Sequence, residues 1–232
     1  MPKSAPQLPE LQQILREKNL ESYYALRLAT PEKQPLLFAL FIIFFEAYEA
    51  CTMSREPMLG KIKIAWWRER LQELDARKQS RPHPAILALS DSFSEHKKIL
   101  DILDEFEKLL DGWQPKTHTE ISVFISKTFG ELFNICGEIC GATDSESLGV
   151  AYGNLYLLRK LKNNKANFLS DEKIAESAIE NFSKNLENIS RPKAKFAQKS
   201  GFYIIINHYK KHENSKRGRL LLKLFFQAHS AF

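Results

Sequence analysis

Three cysteines in 232 residues, Cys51, Cys136 and Cys140, are too few and too odd in number for a disulfide-stapled fold. Glycine and proline are also scarce. The nine Gly and ten Pro make up about 8% of the chain, against roughly 12% in average usage, so turn-rich β architecture is disfavoured and long helices are expected. The longest apolar run, LLFALFIIFF from Leu36 to Phe45, is ten residues and is closed by Glu46. Spanning a bilayer takes about 20 apolar residues, so the run reads as a buried core helix and no transmembrane segment is expected. Met1 to Glu10 holds three prolines and no apolar core, which gives no secretory signal and points to a reducing, cytoplasmic-type compartment. No nucleophile motif, phosphate-binding loop or dinucleotide fingerprint occurs.

What is present is an ordinary globular composition, 44% hydrophobic and 27% charged, with the charge unevenly placed. Residues 191–232 carry ten Lys/Arg and one acid, Glu213, so a net charge of +6 conceals a mildly acidic body with a basic end. Helical periodicity runs almost throughout. Ile99, Ile102, Leu103, Phe106, Leu109 and Leu110 mark one apolar face, and Ile121, Phe124, Ile125, Leu132, Phe133, Cys136 and Ile139 mark another. Prolines such as Pro35, Pro57 and Pro84 sit where helices begin. Thr143-Asp144-Ser145 is a cap for the run from Leu148 to Leu161. Only Phe202 to Ile206 (FYIII) is strand-like, and a helix fits it equally. The expectation is an all-α chain, one domain over 1–232, with eight or nine helices and a basic C-terminal segment 191–232.

Several segments carry a family resemblance. Glu56-Pro57-Met58-Leu59-Gly60, then Ile62 and Trp66-Trp67-Arg68, is similar to the "EPmlG..rl.WWr" stretch of the squalene/phytoene synthase family. Phe124 to Gly141 resembles "Y...T.g.l..l...ilG", Leu148 to Arg159 resembles "lG.A.gl..llR", and Phe168 to Asp171 sits where members have "yLP.D". The resemblance spans roughly residues 20–197 and implies an isoprenoid-synthase-like helical bundle around a central cavity. It further implies two Asp-rich motifs facing one cavity, whose carboxylates hold Mg²⁺ against prenyl diphosphates; that task needs hard oxygen ligands one helical turn apart.

Here this chain departs from the pattern. The second motif should follow Leu158-Arg159, but its Asp positions carry Lys160 and Asn164. At the first, Tyr48, Glu49 and Thr52 stand in place of three Asp, with Glu46 one turn before. An ammonium repels Mg²⁺, and losing the charge clamp on departing pyrophosphate costs several kcal/mol of barrier, at about 1.4 kcal/mol per tenfold in rate. The expectation is a non-catalytic member with no cofactor, similar to the branch acting as respiratory complex I assembly factors. Its partner would then be a respiratory-complex subunit, on the inner membrane or the mitochondrial matrix side. The alternative is a divergent prenyltransferase, which would use Mg²⁺ or grip diphosphate through Arg159 and Lys160.

Other features have competing readings. Gly149, Tyr152, Gly153, Tyr156, Lys160 and Asn164 share one side of a helix, either as a cavity-facing stripe for a prenyl or lipid ligand or as a close helix contact. Glu46 and Glu49 follow an apolar run and need a partner, for which Arg159 or Lys160 is expected. Adjacent Trp66 and Trp67 point about 100° apart, so one faces the core and the other is either half exposed or an interface anchor. Asp101, Asp104 and Glu105 read as a solvated face, His208 and His212 as no metal site, and Cys136 and Cys140 as reduced thiols. The basic and apolar residues of 216–232 suit an anionic membrane surface or a terminal core helix. Nucleic-acid binding is not expected, because the aromatics at the basic end fit apolar helix faces as well as stacking platforms.

Overall fold

The computed structural model describes residues 8–53, 56–75, 83–89, 93–142 and 145–162, together with Ile174, Phe202, Ile205 and Ile206. Nine α-helices and one π-helical segment occur among them, and no strand. Helix α1 (Leu8–Lys18) buries Leu11 and Leu15, and α2 (Leu20–Leu26) follows at once. Asn19 makes the break: its backbone is extended, and its side chain accepts a hydrogen bond from the Ser22 N–H, as N-caps do.

Helix α3 (Gln34–Thr52) is the axis of the fold. It opens with Pro35 in its first turn, where the missing N–H costs nothing. By length and composition alone it could cross a membrane, yet 72% of its most apolar window is buried inside the protein. Helices α1, α2, α4 (Pro57–Asp75), α5 (Pro84–Leu89), α6 (His96–Leu110) and α8 (Glu131–Cys140) pack around it. That explains an almost continuous apolar sequence: Phe38, Phe41, Phe44 and Phe45 point different ways and are all buried. Each such side chain contributes about 2 kcal/mol on burial. The amphipathic helix α6, by contrast, buries only Ile99, Ile102, Leu103 and Phe106.

Helix α7 (His118–Ile125), capped by the Thr117 side chain, runs into a π-helical segment, Ser126–Gly130, and on into α8. The Glu131 N–H bonds back to the Ser126 carbonyl, five residues earlier, and the Thr128 hydroxyl donates to the Phe124 carbonyl at 2.7 Å. Helix α9 (Glu146–Lys162) starts after Ser145, whose carbonyl accepts from Gly149, and lies across the π-helical segment. Its approach is close: a Cβ at Gly149 would meet the Phe129 carbonyl oxygen at 2.4 Å, and one at Gly153 would meet Ile125 Cγ2 at 2.7 Å. At the C-terminal end, Phe202, Ile205 and Ile206 are helical and fully buried, and Phe202 stacks on Phe41 at 5.2 Å. The ambiguous FYIII run is therefore helical at its described positions.

Candidate functional site

The first-motif positions lie at the C-terminal end of α3, and they face three different ways. Tyr48 points into the core, 1% exposed, with its ring edge-on to Phe106 at 5.7 Å and to Tyr156 at 5.4 Å. Burial pushes its phenol well above its ordinary pKa. The Thr52 hydroxyl is committed to the Tyr48 carbonyl at 2.7 Å. Glu49 lines a pocket of about 410 Å³, together with Glu46, Lys18 and Lys63.

These four charges form a closed set. Lys18 Nζ is 3.0 Å from Glu49 Oε2 and 3.8 Å from Glu46 Oε1, and Lys63 Nζ is 2.7 Å from Glu46 Oε2. Lys63 also lies 5.3 and 5.6 Å from the ring centroids of Trp66 and Trp67, within cation–π range. The expected pairing of Glu46 and Glu49 with α9 is thus corrected. Lysines from the last turn of α1 and from α4 hold the two acids, while Arg159 donates to Glu21 on α2 at 2.6 Å. Lys160 sits over the Tyr156 ring, 5.2 Å from its centroid.

On α9, the residues expected to share one side meet packed side chains. The Tyr152 hydroxyl bonds Ser22 Oγ at 2.9 Å and accepts from Asn19 Nδ2 at 3.3 Å, which ties α9 to the cap of α2. Its ring lies 4.9 Å from Phe202 and 5.8 Å from Phe133. Tyr156 packs on Phe45, Tyr48 and Phe129, and burial drives its hydroxyl far above the ordinary tyrosine pKa. Gly153 seats α9 against Phe129. Asn164 lies outside the described residues, as do Phe168–Asp171, His208, His212 and residues 216–232.

The signature residues build the wall beside the pocket. Glu56 is exposed ahead of α4, and Pro57 opens that helix. Gly60 lets α3 and α4 close together, since a Cβ there would meet the Ala50 carbonyl oxygen and Leu110 at 2.6 Å. Trp67 is fully buried and Trp66 half-buried, and both are capped edge-on by His83. Arg68 pairs with Asp104 and Glu107 on α6, and Glu105 pairs with Lys108 and Lys127, so two acids of the expected solvated face, Asp104 and Glu105, have partners. Cys136 is buried and reduced; burial, aided by Glu107, pushes the Cys51 thiol up to about 12. Next to the pocket mouth, Met53, Met58, Leu59 and Ile62 are each more than half exposed.

Magnesium, which the resemblance implies, does not fit this donor set. It asks for several oxygens in octahedral array at about 2.1 Å. The pocket offers two carboxylates, each already ion-paired with an ammonium, and the neighbouring phenol and hydroxyl are turned elsewhere. Among the described residues, no group of three or more His, Cys, Asp and Glu could hold a metal. Lys18, Lys63 and Glu21 were not legible as site residues: nothing in sequence spacing indicates that the end of α1 meets α3.

An all-α bundle packed around an apolar central helix is the architecture of the isoprenoid-synthase class of fold. The chain belongs to the squalene/phytoene synthase family, whose profile matches residues 15–168. It is similar to the rat NADH dehydrogenase (ubiquinone) complex I, assembly factor 6, at 25% identity over 171 residues, which is 67% of this chain and 51% of the relative. The mouse protein of the same name is 24% identical over 158 residues, 63% of this chain and 47% of its own length. The chain thus spans about half the length of these curated relatives.

Proposed function

We propose that this chain is a non-catalytic member of its family that acts by binding protein, as an assembly factor for a respiratory complex of the complex I type. The observation that carries the reading is the fate of the first motif. Its one remaining acid and the acid a turn before it are neutralised by Lys18 and Lys63, and Tyr48 is spent on the core. Such a site has no charge left to steady a departing pyrophosphate. The names of the rat and mouse relatives supply the direction of the proposal. A protein partner would find its surface at the corner where α3 meets α4, because Met53, Met58, Leu59 and Ile62 form an exposed apolar group of the kind that marks interfaces. The partner is then a complex I subunit or another assembly protein, met at the membrane face where that complex is built.

Complementation of a strain lacking the chain tests this. Glu49→Gln should restore assembled complex as well as the natural sequence does, whereas Ile62→Glu should restore it poorly. Magnesium-dependent release of pyrophosphate from farnesyl or geranylgeranyl diphosphate, abolished by Glu49→Gln, would establish the prenyltransferase alternative instead.

A further inference from the structure

We infer that Lys18 and Lys63 are resident counter-cations, standing where a divalent ion would have to stand, and that removing both uncovers a latent divalent-cation site on Glu46 and Glu49. The inference rests on the metal-free reading of the pocket given above and extends it to what the two lysines do.

Glu46 and Glu49 are three residues apart on α3, so their carboxylates project from one face into one space, and both line the same pocket. Two hard oxygen donors at that spacing are the beginning of a Mg²⁺ or Mn²⁺ site, which solvent would complete. In this protein the two negative charges are met by two positive ones. Lys18 Nζ lies between the carboxylates, within 3.0 Å of one and 3.8 Å of the other. Lys63 Nζ covers the remaining oxygen of Glu46 at 2.7 Å and is held over the indoles of Trp66 and Trp67.

The arrangement is held from three helices. Lys18 ends α1, both acids belong to α3, and Lys63 comes from α4. A metal bridging the same carboxylates would have to expel both ammonium groups and meet their repulsion. The pocket, neutral as built, favours neither a divalent cation nor a diphosphate. The lysines thereby perform the charge balance a metal would supply, without a solution concentration on which that balance depends.

Titration of the purified full chain with Mn²⁺, following free Mn²⁺ by electron paramagnetic resonance, tests the inference; thermal unfolding with Mg²⁺ or EDTA serves as a second readout. The natural sequence should show no saturable uptake at millimolar Mn²⁺ and the same unfolding midpoint in Mg²⁺ and EDTA. Lys18→Gln/Lys63→Gln should take up one Mn²⁺ saturably and unfold at a higher temperature with Mg²⁺, and adding Glu46→Gln should abolish both effects. Should the double variant fail to fold, Lys18→Met/Lys63→Met, which keeps the apolar stems of both lysines, must take up Mn²⁺ saturably in its place. A lysine variant with native helical content that takes up no metal overturns this inference while leaving the proposed function standing. Saturable uptake by the natural sequence, lost in Glu49→Gln, overturns both.

Discussion

The two sides of the site have been closed by different forces. At the end of α3, beside α1 and α4, the closure is ionic: four charges in a pocket open to solvent cancel one another. On the α9 side it is aromatic: Tyr48, Tyr152 and Tyr156 interleave with Phe45, Phe129, Phe133 and Phe202. Partly exposed ion pairs are weak, typically below about 1 kcal/mol, whereas a buried aromatic side chain is worth several. The aromatic side should therefore hold the bundle together, while the ionic side mainly decides what can bind.

Stability measurements can break that division. Tyr152→Ala has the largest expected effect, about 4 kcal/mol in urea unfolding, because it opens a cavity among Phe129, Phe133 and Phe202. Gly149→Ala follows at about 2 kcal/mol, since the new methyl meets backbone at Phe129, which cannot swing away as a side chain would. Tyr152→Phe keeps the ring and removes the bonds to Ser22 and Asn19, for about 1 kcal/mol. Lys18→Met should cost less than about 1 kcal/mol, because Lys63 still holds Glu46. A loss from Lys18→Met that equals the loss from Tyr152→Ala would defeat the comparison.

The smallest effect is one of pH. Burial against the two tryptophans holds the His83 imidazole below its ordinary value of 6.5, with Glu46 pulling it up and Lys63 pushing it down. The native state thus takes up its proton later than the unfolded chain as pH falls. Stability is full above pH 6.5 and declines as pH drops below it. His83→Asn should flatten that part of the stability profile while leaving its neutral-pH limb in place.

Much of this was legible in the sequence. Pro35, Pro57 and Pro84 mark helix starts, the α6 face is read correctly at Ile99, Ile102, Leu103 and Phe106 with Leu109 and Leu110 only partly buried, and the all-apolar α3 implied a helix surrounded by others. The motif positions are assigned from their neighbours, which keep the family's spacing. The partners of Glu46 and Glu49 were not, since ion pairing between distant segments depends on where each helix stops and turns. Lys18 reaches α3 only because Asn19 ends α1 there. Nor did the periodicity anticipate buried Thr128 and Phe129, for the face read from Ile121 to Ile139 passes over both.

That gap has one cause, the π-helical segment Ser126–Gly130. A five-residue hydrogen-bonded step adds a residue to the turn, so α7 and α8 form one continuous rod whose faces are out of phase by nearly a third of a revolution. Upstream of the step, Phe124 addresses Trp113 and Phe106; at the step, Phe129 turns to Phe44 and Tyr156; beyond it, Phe133 turns to Tyr152 and Phe202. Deleting a single residue within the segment would restore an ordinary helix and rotate one half of the rod against the other. The molecule's tolerance to insertions and deletions should accordingly be lowest there, at a point with no loop, where the one charged side chain of the segment, Lys127, lies exposed against Glu105.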